Sequence, residues 1–365
     1  DLGAQHRPLR VRLDAAIAAV VERGQFVAGP EVGCFEQRWA SYCEVDHAVG
    51  CSSGTSALTL ALRALGIGPG DEVVTTALTF VATVESIVEC GAVPALADVD
   101  PDTGLVTPAT VEAAITPRTA AVVVVHLWGQ MADMAAFRAL GRRHGIAVVE
   151  DAAQAHGARW DGVRAGGAGQ VAAFSFFPGK NLGAFGDAGA VTSNDAGIAE
   201  KVRKLRDHGR VDKYVHDELG TNARLDTIQA AVLDVKLDHL EDWNGRRRAN
   251  AAAYDEAFAG VEGVDPIVVR PAALPVWHQY VVRVPRRDDA AARLRDAGIA
   301  SGIHYPIPLS RQPALAGVVA PGAFPAADGL AASILSLPVY PELHDDARRR
   351  VVEVLASHAA LAPAG

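Results

Sequence analysis

The sequence has 365 residues, of which 50% are hydrophobic and 21% are charged, and its formal net charge is −9. This composition is typical of a folded globular protein with a large core and argues against a disordered chain. The negative charge argues against nucleic acid as the main partner, because backbone binding needs clustered Lys and Arg. Two short basic stretches, 201–210 and 246–248, are interpreted as exposed helix faces.

The cysteines and the N-terminal residues predict a cytoplasmic protein without a metal site. Cys34, Cys43, Cys51 and Cys90 form no Cys-x-x-Cys pair, so reduced thiols are expected rather than a disulfide or zinc scaffold. The first residues lack the pattern of a signal peptide, and no apolar run approaches the roughly 20 residues that span a membrane. We therefore expect no membrane association.

In chain order, the first predicted element is an amphipathic helix from Leu9 to Glu22, whose apolar residues recur at helical spacing. Gly24 follows where such a helix would end. After the turn AGPE, a second helix is predicted around Cys34 to Tyr42. The stretch 46–76 then gives a strand, a turn of small residues, a helix, a second turn and a second strand, which predicts a βαβ unit.

The alternation of strands and helices continues through the next part of the chain. Helices are predicted near 81–90, 107–115, 132–144 and 196–206, and strands at 93–97, 120–128, 146–151, 170–177 and 189–192. Strands of continuous Val and Ile between helices are typical of a parallel sheet covered on both faces. We therefore predict an α/β fold with a mostly parallel sheet.

The remaining residues predict more helix and a second, smaller domain. A helical pattern covers 224–258, and the last third contains a strand at 280–285, a helix at 291–300 and a final helix at 345–361. This mixture indicates a C-terminal α+β domain. The predicted division is a large domain over 1–240, including the N-terminal helix, and a small domain over 241–365.

Two predicted sites follow strands, where open parallel sheets bind ligands. Ser53, Gly54 and Thr55 directly precede a predicted helix, whose N-terminus attracts a phosphate group; an ordinary helix cap explains the same residues equally well. Asp151 ends a buried strand, where a carboxylate needs a cation or a strong donor such as a protonated ring nitrogen. A cap for the next turn is the alternative for Asp151.

Lys180 and Phe80 provide the other two features. Lys180 is the first of five lysines in a chain that otherwise uses arginine, and arginine cannot replace a lysine that must deprotonate and bond covalently to a carbonyl carbon. Ser175 lies five residues earlier on the preceding strand, and Phe80 follows another strand, where it could stack on a flat ring. The alternatives are an exposed loop lysine and a core phenylalanine. Together the four features predict a site for pyridoxal phosphate (PLP): phosphate cup, ring platform, carboxylate and amine.

With these features assembled, the sequence resembles the DegT/DnrJ/EryC1/StrS family of nucleotide-sugar aminotransferases over nearly its whole length. The family has fold type I of PLP-dependent transferases, as in aspartate aminotransferase. The matching motifs, in order, are GQFVAGPEV, GCSSGTSALTLALRALGIGPGDEV, TFVATVESI, VVEDAAQAHGA, SFFPGKNLGAFGDAGAV, RLDTIQAAVL and GIHYPIPL. The resemblance implies a large domain with a mostly parallel sheet, a smaller C-terminal α+β domain, and PLP as cofactor.

The resemblance also implies roles for individual residues. Lys180 would bind the cofactor covalently and move the proton between substrate and cofactor, Asp151 would pair with the pyridine N–H, and Gln154 would contact the ring hydroxyl. In an obligate homodimer, Asn222 would reach the phosphate of the neighbouring subunit's cofactor. The remaining implied cofactor contacts are those to the phosphate and the ring face, from Ser53, Gly54, Thr55, Ser175 and Phe80.

The substrate is predicted from the residues around Lys180. Some family members carry histidine at that position and catalyse dehydration, so lysine favours transamination. The motif FPGKNLGAFGDAG is most similar to members that place an amine at C3 of dTDP-3-keto-6-deoxyhexoses, with glutamate as the expected donor, in deoxyamino-sugar biosynthesis for antibiotics or surface glycans. His278, His304 and Tyr305 are candidate sugar or nucleotide contacts, although buried histidines are often structural. The alternatives are a 4-keto-sugar or keto-cyclitol aminotransferase and a non-catalytic sensor or scaffold.

Overall fold

The structure is a computed structural model that describes residues 2–360. The helices are α1 (Leu2–His6), α2 (Arg10–Arg23), α3 (Pro30–Cys43), α4 (Gly54–Ala64), α5 (Ala82–Glu89), α6 (Pro108–Glu112), α7 (Met134–His144), α8 (Ala196–Leu205), α9 (Thr227–Leu237), α10 (Leu240–Phe258), α11 (Arg287–Asp296), α12 (Pro325–Ser333) and α13 (Asp345–Ala359). The strands are β1 (His47–Cys51), β2 (Glu72–Thr76), β3 (Val93–Ala97), β4 (Thr119–Val125), β5 (Ala147–Asp151), β6 (Arg159–Trp160), β7 (Val163–Arg164), β8 (Val171–Ser175), β9 (Gly189–Ser193), β10 (Asp265–Pro266), β11 (Ala273–Leu274), β12 (Tyr280–Arg283) and β13 (Ile334–Leu337).

A seven-stranded sheet forms the centre of the larger part of the molecule, in the order β1-β9-β8-β5-β4-β2-β3. β9 runs antiparallel to β1 and β8, and the other neighbouring pairs are parallel. The predicted mostly parallel sheet is therefore confirmed. β1 and β2, predicted as the strands of one βαβ unit, are not hydrogen-bonded neighbours, because β9, β8, β5 and β4 lie between them.

The central strand β4 is buried on both of its faces and consists of small and β-branched residues. Successive side chains of a strand point to opposite faces. Val122 and Val124 accordingly pack in one core cluster with Phe137, whereas Val123 packs in a second cluster with Leu60. Helices covering both faces explain why the strand reads as unbroken valine rather than as an alternating pattern.

A second, three-stranded sheet, β10-β12-β13, is antiparallel and packs with α10, α11 and α13. Its core includes Tyr254, Tyr280 and Leu355. The predicted domain division near residue 240 stays a prediction, since α10 runs from Leu240 in the first cluster to Tyr254 in the third. A small sheet, β11-β6-β7, also pairs a strand of the later part of the chain with one of the earlier part.

Some boundaries differ from the predicted ones. α3 begins at Pro30 rather than near Cys34, because proline at the first helical position loses no hydrogen bond. The predicted helical pattern 224–258 is divided into α9 and α10, and α12 and β13 were not predicted. The predicted final helix reached Leu361, which lies outside the described residues, as do Asp1 and 362–365. Among residues 2–360, no helix is long and apolar enough to cross a membrane, and the cytoplasmic location stays a prediction.

Candidate active site

A cavity of about 730 Å³ lies at the carboxyl ends of the central strands. Its volume is within the usual range for small-molecule sites, and its position is the one where parallel sheets bind ligands. Asn222 is exposed, and its backbone forms an isolated antiparallel β-bridge with Asp207. It does not line the cavity of its own chain. The other predicted site residues all line it: Ser53, Gly54, Thr55, Phe80, Asp151, Gln154, Ser175, Lys180, His278, His304 and Tyr305.

Asp151 is a buried carboxylate at the end of β5. Its Oδ2 accepts a hydrogen bond from the Thr83 hydroxyl at 2.8 Å, and its Oδ1 accepts one from the Ala153 N–H at 3.2 Å. Burial raises the pKa of Asp151, although these donors and the charge of Lys180 counteract the rise. No ion pair within residues 2–360 includes Asp151, so this carboxylate is suited to a cationic N–H in the cavity.

Lys180 lies on the turn that follows β8 and is half-buried. Burial lowers the pKa of Lys180 to about 8, while the charge of Asp151 acts in the opposite direction. Within the described part of the chain, its amine makes no hydrogen bond or ion pair. At neutral pH, a larger fraction of this lysine is therefore the uncharged, nucleophilic amine than for an exposed lysine.

The N-terminus of α4 approaches β8 closely because residue 54 is glycine. A Cβ atom at Gly54 would lie 2.6 Å from the Cβ atom of Ser175, which is closer than side-chain atoms can pack. Ser53 caps the helix, accepting a hydrogen bond from the Ser56 N–H at 3.0 Å. Capping and the predicted phosphate cup are thus compatible, because Ser53, Gly54 and Thr55 cap or begin α4 and also line the cavity.

Gln154 and the aromatic side chains form another wall of the cavity. Gln154 accepts a hydrogen bond from the Trp128 N–H at 2.6 Å and donates one to the Tyr305 hydroxyl at 3.2 Å. The Tyr305 ring lies 5.9 Å from the half-exposed ring of Phe80, centroid to centroid. The contact of Gln154 with a cofactor hydroxyl stays a prediction, since both of its polar ends already have protein partners.

The two predicted substrate-binding histidines are uncharged near neutral pH. Burial lowers the pKa of His304 and brings that of His278 well below its ordinary value, and the charge of Lys180 lowers both further. His278 Nδ1 lies 3.2 Å from the Asn181 Oδ1, and His304 Nδ1 lies 2.8 Å from the Ser336 Oγ. Both rings are therefore held on one side while they line the cavity.

Two side chains of α9 anchor the turn that carries Lys180. Gln229 accepts a hydrogen bond from the Phe185 N–H at 2.8 Å, and the Lys236 amine donates one to the Gly183 carbonyl. Neither Gln229 nor Lys236 was predicted from the sequence, and nor was Thr83 beside Asp151. Their seven-residue spacing on one helix face is the only sequence signal for Gln229 and Lys236, and it is shared by ordinary core positions.

The cavity brings together a lysine amine, a buried carboxylate and a helix N-terminus. Within residues 2–360, no group of three or more His, Cys, Asp or Glu side chains could hold a metal ion. The four cysteines are free thiols, of which Cys43 and Cys51 are buried and Cys34 is exposed.

Proteins similar in sequence match nearly the whole chain. The dTDP-3-amino-3,4,6-trideoxy-alpha-D-glucose transaminase of Streptomyces venezuelae is 49% identical over 356 residues, which are 97% of this chain and 94% of that protein. The erythromycin biosynthesis sensory transduction protein EryC1 of Saccharopolyspora erythraea is 48% identical over 97% of both chains.

Solved structures agree with these relatives. The crystal structure of S. venezuelae DesV in complex with a ketimine intermediate has a TM-score of 0.97 at 49% identity and covers 99% of this chain and 98% of that one. The structure of NtdA from Bacillus subtilis with bound cofactor PMP has a TM-score of 0.89 at 28% identity, covering 97% and 82%. Residues 9–356 match the DegT/DnrJ/EryC1/StrS aminotransferase family. The chain belongs to this family and is an aminotransferase with the predicted fold type I.

Proposed function

We propose that this aminotransferase uses PLP to place an amino group at C3 of a dTDP-linked 3-keto-6-deoxyhexose, with glutamate as the donor, in the biosynthesis of a deoxyamino sugar. The observation that carries the proposal is the cavity in which the Lys180 amine and the buried Asp151 carboxylate, neither in an ion pair within residues 2–360, lie beside the N-terminus of α4. Relatives named as dTDP-3-amino-sugar transaminases support the choice of substrate. Membership of an aminotransferase family and the free amine of Lys180 argue against a sensor or scaffold.

The residues of the cavity fit PLP. Asp151 has only neutral hydrogen-bond donors and would pair with the ring N–H, and Ser175 and the residues 53–55 would hold the phosphate. Phe80 would cover one face of the ring. When bound, PLP supplies an aldehyde carbon for the lysine amine and a protonated ring that withdraws electrons from the reacting carbon.

The side chains of this protein then carry the proton transfers. The Lys180 amine would accept a proton from the substrate carbon and, as the ammonium, return it to the cofactor. In the cofactor-free protein, burial lowers the pKa of this amine to about 8. A pKa close to the working pH suits both directions. Thr83 and Ala153 hold the Asp151 carboxylate in place, so its negative charge would remain available to the ring nitrogen when PLP is bound.

A homodimer is part of the proposal. The segment that precedes Asn222 exposes several apolar side chains, and such a surface favours burial against a second copy. These side chains are Val211, Tyr214, Val215 and Leu219, of which Leu219 is 88% exposed. In the dimer, Asn222 would contact the phosphate in the neighbouring subunit, since it does not line the cavity of its own chain. Asn222→Ala should weaken PLP affinity while sedimentation still shows a dimer; a monomeric wild-type protein would contradict the proposal.

The substrate is tested by incubating the holoenzyme with glutamate and one keto compound at a time. A dTDP-3-keto-6-deoxyhexose should be aminated, and a dTDP-4-keto-6-deoxyhexose and a keto-cyclitol serve as comparisons. Turnover with only one of the latter two would overturn the choice of C3. If the purified protein shows no absorbance of bound PLP after PLP is added and the unbound PLP is removed, the choice of cofactor is contradicted.

A further inference from the structure

We propose that Asn181 is a positioning residue that sets the tautomer of His278, so that Nε2 of His278 accepts a hydrogen bond from a hydroxyl group of the sugar substrate. The acceptor role toward a sugar rests on the proposed function. The tautomer itself follows from the hydrogen bonds around Asn181, which do not depend on the identity of the substrate.

The orientation of the Asn181 amide is fixed by its two acceptors. Asn181 Nδ2 lies 2.9 Å from the Val276 carbonyl oxygen and 2.9 Å from the Asn244 Oδ1. A backbone carbonyl can only accept, so the amide nitrogen of Asn181, and not its oxygen, must face Val276. Both N–H groups of Asn181 are thereby used, and its Oδ1 is left as an acceptor toward His278 Nδ1 at 3.2 Å.

Asn244 is oriented by the same logic. Its Nδ2 donates to the His156 carbonyl at 2.8 Å, so its Oδ1 is available to accept from Asn181. Asn181 and Asn244 are both almost completely buried. Reversing either amide would bring two acceptors together and leave buried polar groups without partners, which costs more free energy than one hydrogen bond provides.

An acceptor at Asn181 Oδ1 requires a proton on His278 Nδ1. The titratable and charged groups that face His278 are Lys180, Arg247, His156 and His304. The cations Lys180 and Arg247 disfavour a second proton on the ring, as does burial, which lowers its pKa. A neutral imidazole carries one N–H, so Nε2 of His278 is a bare acceptor. Within residues 2–360 this nitrogen has no hydrogen-bond partner, and the ring lines the cavity.

A bare ring nitrogen selects its ligand group. It repels phosphate and carboxylate oxygens, which are also acceptors, and it binds an O–H or N–H donor. The hydroxyl groups of the proposed sugar are such donors, whereas the diphosphate and the carboxylates of the amino donor are not. His304 differs, because its Nδ1 partner, the Ser336 hydroxyl, can donate or accept and does not select a tautomer.

The tautomer is tested by ¹⁵N NMR of the histidine-labelled, PLP-loaded enzyme, with His278→Gln used to assign the signal. Between pH 6 and 9, Nδ1 of His278 should be protonated and Nε2 bare. A protonated Nε2 in the wild-type enzyme would overturn the proposal. Asn181→Ala should produce a mixture of His278 tautomers. An unchanged spectrum would show that Asn181 does not set the tautomer and would overturn the proposal.

Asn181→Asp is the second variant, in case the alanine variant does not fold. It keeps an acceptor oxygen, so Nδ1 of His278 should stay protonated, and the added carboxylate should raise the pKa of the imidazole relative to wild type. A pKa that is unchanged or lowered would show that residue 181 does not face Nδ1, and would overturn the proposal.

Ligand contact is tested with two probes, dTDP and a dTDP-3-amino-3,6-dideoxyhexose. The amino-sugar nucleotide should shift the Nε2 signal of His278, whereas dTDP alone should not; an equal shift with both probes would place the contact on the nucleotide and overturn the sugar assignment. His278→Leu should slow the half-reaction with the keto sugar about 10-fold more than the half-reaction with glutamate, and His278→Gln should recover part of this loss. Equal slowing of both half-reactions would indicate a structural role and contradict the proposal. If wild-type enzyme aminates no 3-keto sugar, the proposed function fails while the tautomer result stands.

Discussion

The cavity holds Lys180 and the core behind it holds Lys236, and burial lowers the pKa of both lysines to about 8. Their surroundings differ. The side-chain amine of Lys180 has no hydrogen bond within the described residues and shares its cavity with the Asp151 carboxylate. Lys236 is completely buried, donates to the Gly183 carbonyl and lies 5.8 Å from the ring centroid of Phe185.

The comparison shows that a lowered pKa alone does not identify a catalytic lysine. Both amines are made easier to deprotonate by the same cause, the loss of solvation of the ammonium. The Lys236 amine donates to a backbone carbonyl and lies over the faces of nearby aromatic rings, which stabilise a cation. Of these two lysines, Lys180 alone combines the lowered pKa with an amine that has no hydrogen bond within residues 2–360 and with access to the cavity.

The largest expected effect follows from replacing Lys180. Lys180→Met should reduce transamination by more than about 10³-fold, because it removes both the nucleophilic amine and the group that moves the proton. Lys236→Met is the matched control, with the same change of side chain, and should lose only about 3-fold through the freed Gly183 carbonyl. Steady-state rates with glutamate and the keto sugar measure both. Comparable losses in the two variants would mean that access to the cavity does not distinguish the lysines.

The second prediction concerns Asp151. Asp151→Asn should lower kcat about 10²-fold, since the amide cannot supply a negative charge to the ring nitrogen. In the cofactor-free protein it should also lower the pKa of Lys180 below about 8, because the Asp151 charge is what raises that pKa against burial. The pH dependence of labelling by an amine-reactive reagent gives this pKa, with Lys180→Met as the blank. A pKa above that of wild type would show that the two side chains do not interact.

The third prediction concerns the approach of α4 to β8. Gly54→Ala places a Cβ 2.6 Å from that of Ser175 and should weaken PLP affinity about 10-fold by moving the helix N-terminus. Gly33→Ala is the control, because it is also a helical glycine but an added Cβ there meets no atom within 4 Å. Titration with PLP, followed by absorbance, measures both affinities. Equal affinities in the two variants would rule out a close-packed phosphate cup.

The class of the fold could be predicted from the sequence, but the order of its strands could not. Runs of valine between helices indicated a buried, mostly parallel sheet, which the structure confirms. The insertion of β9 between β1 and β8 depends on pairing between residues far apart, such as Val49 with Val191, and no local pattern encodes it. The first turn of α3 was likewise missed, because proline and glycine before a helix also indicate an ordinary turn.

Those residues of the candidate site that lie at or just beyond the ends of strands could be predicted from the sequence. Asp151 ends a strand and Lys180 lies on the turn after the next strand of the sheet, and the structure brings them to one cavity. Their supporting residues were not predictable, because each acts through a distant partner: Asn181 bonds to Asn244, 63 residues later, and Lys236 bonds to Gly183. Until the chain is folded, such polar residues are indistinguishable from ordinary surface or capping positions.

The fourth prediction concerns the pH dependence of the free energy of unfolding. The variant with the smallest expected effect on activity, Lys236→Met, should change it measurably. In the cofactor-free protein, both lysines have a pKa of about 8 when folded and about 10.4 when unfolded. Between these values the unfolded chain binds more protons, so the free energy of unfolding rises with pH. Below pH 8 the full cost of burying the ammonium is present, and it is relieved as the pH approaches 10.

Lys236→Met and Lys180→Met should each reduce this rise by up to about 1.4 kcal/mol per pH unit between pH 8 and 10, because each removes one titrating group. Urea unfolding of the cofactor-free proteins at both pH values measures the difference from wild type, in which the titration of other groups cancels. With PLP bound, Lys180 is proposed to be covalently occupied, so only Lys236→Met should still reduce the rise. A full pH response in cofactor-free Lys236→Met would show that Lys236 keeps an ordinary pKa, and the two lysines would then differ in solvation as well as in access.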